Sequence, residues 1–318
     1  MKPFFCIMIT SFNKEKEILR CIKSCLLQTL QDFYILVVDD HSKDNSVKNI
    51  KKLSIKKIKI IQNNKNKGVC YSRHKAIKSS KAEWIINLDA DWKLKDKYVL
   101  ENLKKKIIQY SNQKLNFFGA KIKFDHGLIS PLNNYKKELS YLDRIKMVNE
   151  DQYDFLKIFR KKIYNKYCYW PKNKRFADGL IGLNWHKKNK IKIFNYIAII
   201  QFTKEKTSLS RLSKINNSKF YKQIITNARH RVWEYEKVLK LHGKTIKMFA
   251  PNYYQILYYN LGMNYFFLNK NKKGFFNLIK SISLNVFSLN KWIVLIFGLI
   301  NRKLLIFMYK LNLILVNR

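Results

Sequence analysis

The sequence predicts an α/β fold built on a mostly parallel, doubly wound sheet and followed by a C-terminal helical extension. Three observations carry this. Apolar runs of strand length alternate with amphipathic helical stretches through the first third of the chain. Two of those runs end on paired carboxylates, and ligands of open α/β sheets gather at the carboxyl ends of strands. Past about residue 210 the apolar spacing turns helical.

The elements follow in order. Phe4 to Ile9 is a strand, Ile18 to Leu30 a helix, Phe33 to Val38 a strand, Ser46 to Leu53 a helix and Ile58 to Ile61 a strand. Val69 to Lys78 reads as a helix, and Trp84 to Leu88 as a buried strand that runs into Asp89-Ala90-Asp91. From Tyr110 to Tyr167 the pattern is irregular: a strand near Phe117 to Phe124, then loops and a helix. A Lys- and Ser-rich connector, Thr203 to Lys219, precedes a long amphipathic segment from Phe220 to Leu241. Tyr253 to Leu268 and Phe275 to Leu284 form a helical hairpin whose spacing resembles one tetratricopeptide unit. The last apolar blocks, Trp292 to Ile300, Leu304 to Tyr309 and Leu311 to Val316, are broken by Asn301, Arg302, Lys303 and Lys310. None reaches the roughly 20 residues of a spanning helix, so an interfacial, membrane-associating tail is expected. Residues 1–210 are therefore read as one domain and 211–318 as the extension.

Composition narrows the partners. With 47% apolar residues the chain can bury a full-size core, which excludes a disordered polymer. The net charge of +43, from 64 Lys plus Arg against 21 Asp plus Glu, suits nucleic acid, anionic lipid or phosphorylated substrates. A Lys-rich drift of unconstrained surface positions would produce the same excess. Cys6, Cys21, Cys25, Cys70 and Cys168 are odd in number and never paired as CxxC, against a disulfide framework or a zinc site. The six histidines lack ligand spacing, and there is no Gly-rich phosphate loop or nucleophile elbow. Met1-Lys2-Pro3 leads into a run too short for a signal peptide, so a cytoplasmic catalytic part is expected.

Four strings carry chemistry. Asp89-Ala90-Asp91 puts two carboxylates on the sheet rim, where a hard divalent cation bridged to phosphates could sit. Val37 to Ser42 ends a second strand with Asp39-Asp40, whose carboxylates can accept a hydrogen bond from a pyrimidine N–H. Thr10-Ser11-Phe12-Asn13 lies at a strand-to-helix junction able to hold a nucleotide. Asn66-Lys67-Gly68-Val69 precedes a helix on which Arg73 could face a diphosphate.

Taken in order, with Ser24 to Thr29 and Asp32-Phe33 between them, these strings resemble the nucleotide-binding half of the inverting family 2 glycosyltransferases of GT-A fold. The match runs over roughly the first hundred residues, leaving 101–210 as the acceptor half. The resemblance implies that Asp40 contacts the base, Thr10 and Phe12 line the nucleoside pocket, and Arg73 sits by the diphosphate. It also implies that Asp89 touches the ribose and Asp91 ligates Mn²⁺ or Mg²⁺. An inverting transfer needs a general base for the acceptor hydroxyl, which the family supplies from a downstream carboxylate, often in a Glu-Asp pair. Asp178 in Arg175-Phe176-Ala177-Asp178-Gly179 is the candidate, with Ala177 where the Glu would stand; the alternative for Asp178 is a helix N-cap. Glu150-Asp151 competes for the role, and Trp92 and Trp170 could stack on a sugar or simply pack.

The expected activity is transfer of a sugar from a nucleotide-diphosphate donor, UDP by default, to a glycan or lipid-linked acceptor in cell-surface polysaccharide synthesis. It would take place at the inner face of a membrane, with the basic tail on anionic lipid. The alternatives are a basic nucleic-acid-binding protein and an inactive scaffold of the same fold.

Overall fold

The computed structural model describes residues 2–111, 115–131, 138–149, 154–167, 175, 177–202 and 216–316. Two compact units, Met1–Thr203 and Lys204–Arg318, divide the chain.

The first unit is a sheet with helices. Its strands are β1 (Phe5–Ser11), β2 (Phe33–Asp39), β3 (Ile58–Gln62), β4 (Trp84–Asp89), β5 (Trp92–Leu94), β6 (Phe117–Phe124), β7 (Ile129–Ser130), β8 (Leu156–Arg160) and β9 (Lys192–Gln201). Its helices are α1 (Glu17–Leu26), α2 (Ser46–Lys52), α3 (Val69–Ser79), α4 (Val99–Ser111), α5 (Tyr141–Asn149), α6 (Lys161–Tyr167) and α7 (Asp178–Lys188). The strand order is β3-β2-β1-β4-β8-β6-β9-β5, with β7 beside β6. From β3 to β4 all pairings are parallel. Beyond β4 the sheet is mixed, because β8 enters antiparallel to both β4 and β6.

Local chemistry explains the parallel part. Phe5 to Ile9 and Phe33 to Val38 are buried throughout, as strands covered on both faces must be, so they read as continuous apolar runs. On α1, Ile18, Cys21, Ile22 and Cys25 recur at helical spacing and are fully buried in the core with Ile7, Ile9, Val37 and Leu88. At roughly 25 cal/mol per Å² of apolar surface, each such side chain contributes about 1.5–3 kcal/mol.

Four strands lie outside the sequence expectation, the two-residue β7 among them. β5 has three residues, too few for a periodic signal. β8 reads Leu-Lys-Ile-Phe-Arg, and its charges obscured it inside a stretch read as loops and helix. β9 is a ten-residue run whose apolar stretch Ile-Ala-Ile-Ile follows the polar Asn195.

The second unit is helical: α8 (Asn217–Phe249), α9 (Pro251–Phe267), α10 (Asn271–Ile282), α11 (Leu289–Ile300) and α12 (Arg302–Val316). Asn216 caps α8, its side chain accepting from the Lys219 N–H at 2.9 Å. Gly298 of α11 lies against the Phe266 ring of α9, where any Cβ would collide. The blocks Leu304 to Tyr309 and Leu311 to Val316 merge into the single helix α12. Among the described residues no helix is long and apolar enough to cross a membrane. Leu289, Trp292, Ile296, Leu299 and Ile300 on α11, and Leu304, Phe307, Met308 and Leu311 on α12, are exposed. From Lys237 to Arg318 the chain has 13 Lys or Arg and no Asp or Glu.

Candidate active site

Strand register assembles the site. Thr10 pairs with Asp89 across β1–β4, and Ser11 pairs with Asp39 across β1–β2, so three of the four strings meet on one sheet edge. The loops after β1 and β2 are laced together. The Asn13 N–H donates to Ser42 Oγ at 2.9 Å, Asn13 Oδ1 accepts from the Lys43 N–H at 2.7 Å, and the Lys14 N–H donates to Ser46 Oγ at 3.0 Å. Asn13 and His41 adopt φ of 52° and 67° at these turns, a region uncommon for residues other than glycine and one in which Asn and His are enriched.

Asp40 is buried and closes the next loop. Its Oδ1 accepts from Asn63 Nδ2 at 2.9 Å and the Lys67 N–H at 2.8 Å, and its Oδ2 from the Gly68 N–H at 2.7 Å. A carboxylate offers about four acceptor sites, so these bonds leave little beyond one for a base N–H. Gly68 has φ +93°, and a Cβ there would stand 2.8 Å from Arg175 Cβ, which makes glycine a requirement. Arg175 in turn donates to Asn66 Oδ1. Thr10 is half-buried at the end of β1, and Phe12 is exposed beyond it.

Arg73, in the second turn of α3, joins two strings. Its Nη2 donates to Asp89 Oδ1 at 2.7 Å and its Nη1 to Asp178 Oδ2 at 2.9 Å. Burial opposes the guanidinium charge, but Asp178 and Asp89 outweigh it and hold Arg73 more firmly protonated than usual. Burial pushes the Asp178 carboxyl up, and the Arg73 charge together with a Cys70 thiol hydrogen bond pulls it down further, so the net shift is below the ordinary carboxylate value. Cys70 Sγ also accepts from the Ala177 N–H at 3.3 Å, and burial first, then Asp178, raise the thiol well above its usual range.

The capping alternative for Asp178 is not what forms. Ala177 occupies the cap position of α7 with no side-chain cap bond, and Asp178 is the first helical residue, its carboxylate turned to Arg73. A negative group in a first turn still suits the helix dipole.

Asp91 follows the buried Ala90, its side chain one-third exposed. Lys14 Nζ sits 2.9 Å from Asp91 Oδ2 and 3.6 Å from Glu17 Oε1, and the Arg20 guanidinium donates to the Asp91 carbonyl at 3.1 Å. Among the described residues no three His, Cys, Asp or Glu side chains converge as a cation cage. A hard cation here would use a carboxylate plus phosphate oxygens and water, a donor set that suits Mg²⁺.

Trp92 is buried in the core, which assigns it to packing. Glu150, Asp151, Cys168 and Trp170 lie outside the described residues. Lys14, Asn63 and Cys70 were not singled out as site residues from sequence, because their types carry no motif until the fold brings them to the carboxylates. The same holds for Asp154 and Lys157 at β8. Burial raises the Asp154 carboxyl and lowers the Lys157 ammonium, and both feel the charges of Arg73 and Asp89.

Known structures share this architecture. Staphylococcus aureus TarS 1–349 in complex with UDP-GlcNAc superposes with a TM-score of 0.58 at 18% identity, covering 98% of this chain and 92% of that one. A mannosyltransferase, PcManGT from Pyrobaculum calidifontis in complex with GDP-Man and Mn²⁺, gives 0.53 at 10% identity, covering 98% and 88%. Against a longer structure of S. aureus TarS the values are 0.55 and 17%, and the chain, 89% covered, spans only 55% of that protein. At these identities the likeness is one of fold. No curated protein matches the chain by sequence. A model of glycosyl transferase family 2 matches residues 6–168, more than half of the 318, and on that match and this sheet edge the chain belongs to glycosyl transferase family 2, a family of transferase enzymes.

Proposed function

We propose that the chain moves a sugar, with inversion, from a nucleotide-diphosphate donor, UDP in the first instance, to a glycan or lipid-linked acceptor of the cell surface. The observation that carries this reading is the position of Arg73 between Asp89 and Asp178. One cation thereby touches both the expected ribose-side carboxylate and the expected base.

In this reading Thr10 and Phe12 line the nucleoside pocket, and Asp40, buttressed by the 63–68 loop, accepts from the base. Asp89 faces the ribose, and Arg73 turns to the diphosphate. Asp178, released from Arg73, takes the proton of the acceptor hydroxyl as it attacks the anomeric carbon opposite the leaving diphosphate. Asp91 would hold Mn²⁺ or Mg²⁺, which when bound supplies Lewis-acid stabilisation of charge on the leaving diphosphate. Residues 1–210 would form the catalytic domain, with 1–100 for the donor and 101–210 for the acceptor. Residues 211–318 would form the extension, with α9 and α10 as a tetratricopeptide-like hairpin.

A panel of nucleotide sugars, with and without Mn²⁺, tests the reading on the full chain. Donor hydrolysis or transfer by the wild type, lost in Asp178→Asn with UDP binding kept, is the expected result. Binding of no donor at all would refute it.

The exposed apolar faces of α11 and α12, set in an acid-free segment, support a peripheral position on anionic lipid at the inner face of the membrane. Co-sedimentation of Leu289→Ser/Phe307→Ser with phosphatidylglycerol vesicles should fall severalfold below that of the wild type. Equal sedimentation would remove the membrane from the proposal.

A further inference from the structure

Asn87 is the one polar residue of the buried run Trp84 to Leu88 on β4, and the proposed transfer chemistry leaves it unused. The residue is 8% exposed, and its Oδ1 has no hydrogen-bond partner among the described residues. A buried acceptor without a donor costs stability, and protein interiors hold few such atoms. An apolar residue would suit this strand better unless the amide meets something that the chain itself does not supply.

Strand register shows what stands beside it. Alternate residues of a strand share a face, so Asn87 lies on the side of β4 that carries Asp89 and its partner Arg73, whereas Trp84, Ile86 and Leu88 face the core shared with α1. Lys157 of β8 is directly opposite Asn87, where facing Cβ atoms are about 4.5–5.5 Å apart. Lys157 Nζ lies 5.4 Å from the centroid of the Phe155 ring, so the ammonium leans toward the start of β8. Because β8 runs antiparallel to β4, that direction leads to Asp89. Asp154 Oδ1 stands 3.9 Å from the ammonium, and the Asp154 carbonyl accepts from Ser130 Oγ at 2.9 Å. The side chains of Asp154 and Lys157 are each more than one-third exposed, so a ligand can reach them. The Lys157 charge interacts with those of Asp89 and Asp178, which places this group at the end of the sheet edge where the expected base stands.

We propose that Asn87, Asp154 and Lys157 form the subsite that reads the donor's sugar, and that it takes an uncharged sugar through neighbouring hydroxyl groups. The inference rests on the reading of the chain as a nucleotide-sugar transferase and deepens it. A hydroxyl group both donates and accepts. Asn87 Oδ1 and the Asp154 carboxylate accept from it, and the Lys157 ammonium donates to it. Lys157 already faces Asp154, so the pair has no net charge to offer a sugar carboxylate, and a uronic acid would bring its anion up to Asp154.

Calorimetric titration of UDP, UDP-glucose, UDP-N-acetylglucosamine, UDP-glucuronic acid, GDP and GDP-mannose into the full chain with Mn²⁺ tests the subsite. The variants are Asn87→Leu and Lys157→Met. Each should hold the bare nucleotide within twofold of the wild type and lose tenfold or more in affinity for the neutral sugar nucleotide that the wild type prefers. The thermal midpoint of Asn87→Leu should not fall, because the substitution removes an unbonded buried acceptor. Equal losses for nucleotide and sugar nucleotide, or a lowered midpoint, would make these residues structural and overturn the proposal. Unchanged affinity for every sugar nucleotide would overturn it as well, and a wild-type preference for UDP-glucuronic acid would overturn the uncharged class. A wild type that binds no nucleotide would bring down the transferase reading and this inference together, whereas nucleotide binding without discrimination among the sugars would bring down this inference alone.

Discussion

Arg73 on α3 and Asp178 on α7 stand 105 positions apart in sequence and 2.9 Å apart in space. The pair sets a carboxylate's basicity by a cation, one that in the proposed function turns to the diphosphate. With Arg73 engaged, Asp178 is held below its ordinary range and is a weak base. When a polyanion takes Arg73, the carboxyl returns toward its usual value and gains proton affinity. Binding of UDP should therefore be accompanied by proton uptake at and below about pH 4, the ordinary carboxylate value, measured by calorimetry in buffers of different ionisation enthalpy, and Asp178→Asn should abolish that uptake.

The same pair makes a stability prediction. A carboxylate whose folded value lies below its unfolded value stabilises the fold above the unfolded value, and that contribution is lost as pH falls through the folded one. Denaturant midpoints of the wild type should drop more steeply than those of Asp178→Asn between about pH 4 and pH 2.

Removing the guanidinium leaves Asp89 and Asp178 facing one another across a partly buried gap. Arg73→Met should lower UDP affinity about tenfold or more, since truncating one partner of a hydrogen-bonded charge pair is costly. Arg73→Lys should recover only part of it, because an ammonium cannot span two carboxylates as the fork does. Titrations of UDP against both variants check this.

Asp91→Ala should erase the Mn²⁺ dependence of UDP binding while leaving the thermal midpoint nearly unchanged, since the side chain is one-third exposed. Lys14→Met removes the ammonium 2.9 Å from that carboxylate and should tighten Mn²⁺ binding severalfold, read by the paramagnetic signal of free Mn²⁺.

Gly68→Ala combines a left-handed φ with a Cβ pressed onto Arg175. A loss of about 1–3 kcal/mol is expected, with weaker UDP binding because the Gly68 N–H also anchors Asp40. Chemical denaturation and UDP titration measure the two effects.

In the parallel half β1, β2 and β4 were legible in the sequence because they are buried on both faces, which leaves apolar runs, those of β2 and β4 ending on acids. The later strands were harder to read for different reasons: β5 is too short for a period, and β8 carries Lys157 and Arg160 among its apolar residues. At the candidate site, Asp40, Arg73, Asp89, Asp91 and Asp178 stood out by type and by place after a strand or before a helix. Lys14, Cys70 and Asn63 did not, because a thiol, an amide and one lysine among many acquire meaning only from the carboxylate each meets in space.

The acid-free stretch from Lys237 to Arg318 has a further consequence. Apart from His242, none of its side chains ordinarily changes protonation between about pH 2 and pH 9. Its charge therefore varies by no more than the one His242 imidazole, whereas the sheet edge around Arg73 is built on carboxylates. If, as proposed, Asp178 is the base and α11 and α12 rest on an anionic surface, acidification would protonate Asp178 while the positive charge of α11 and α12 stayed as it is, so activity and attachment would respond to pH as two independent variables.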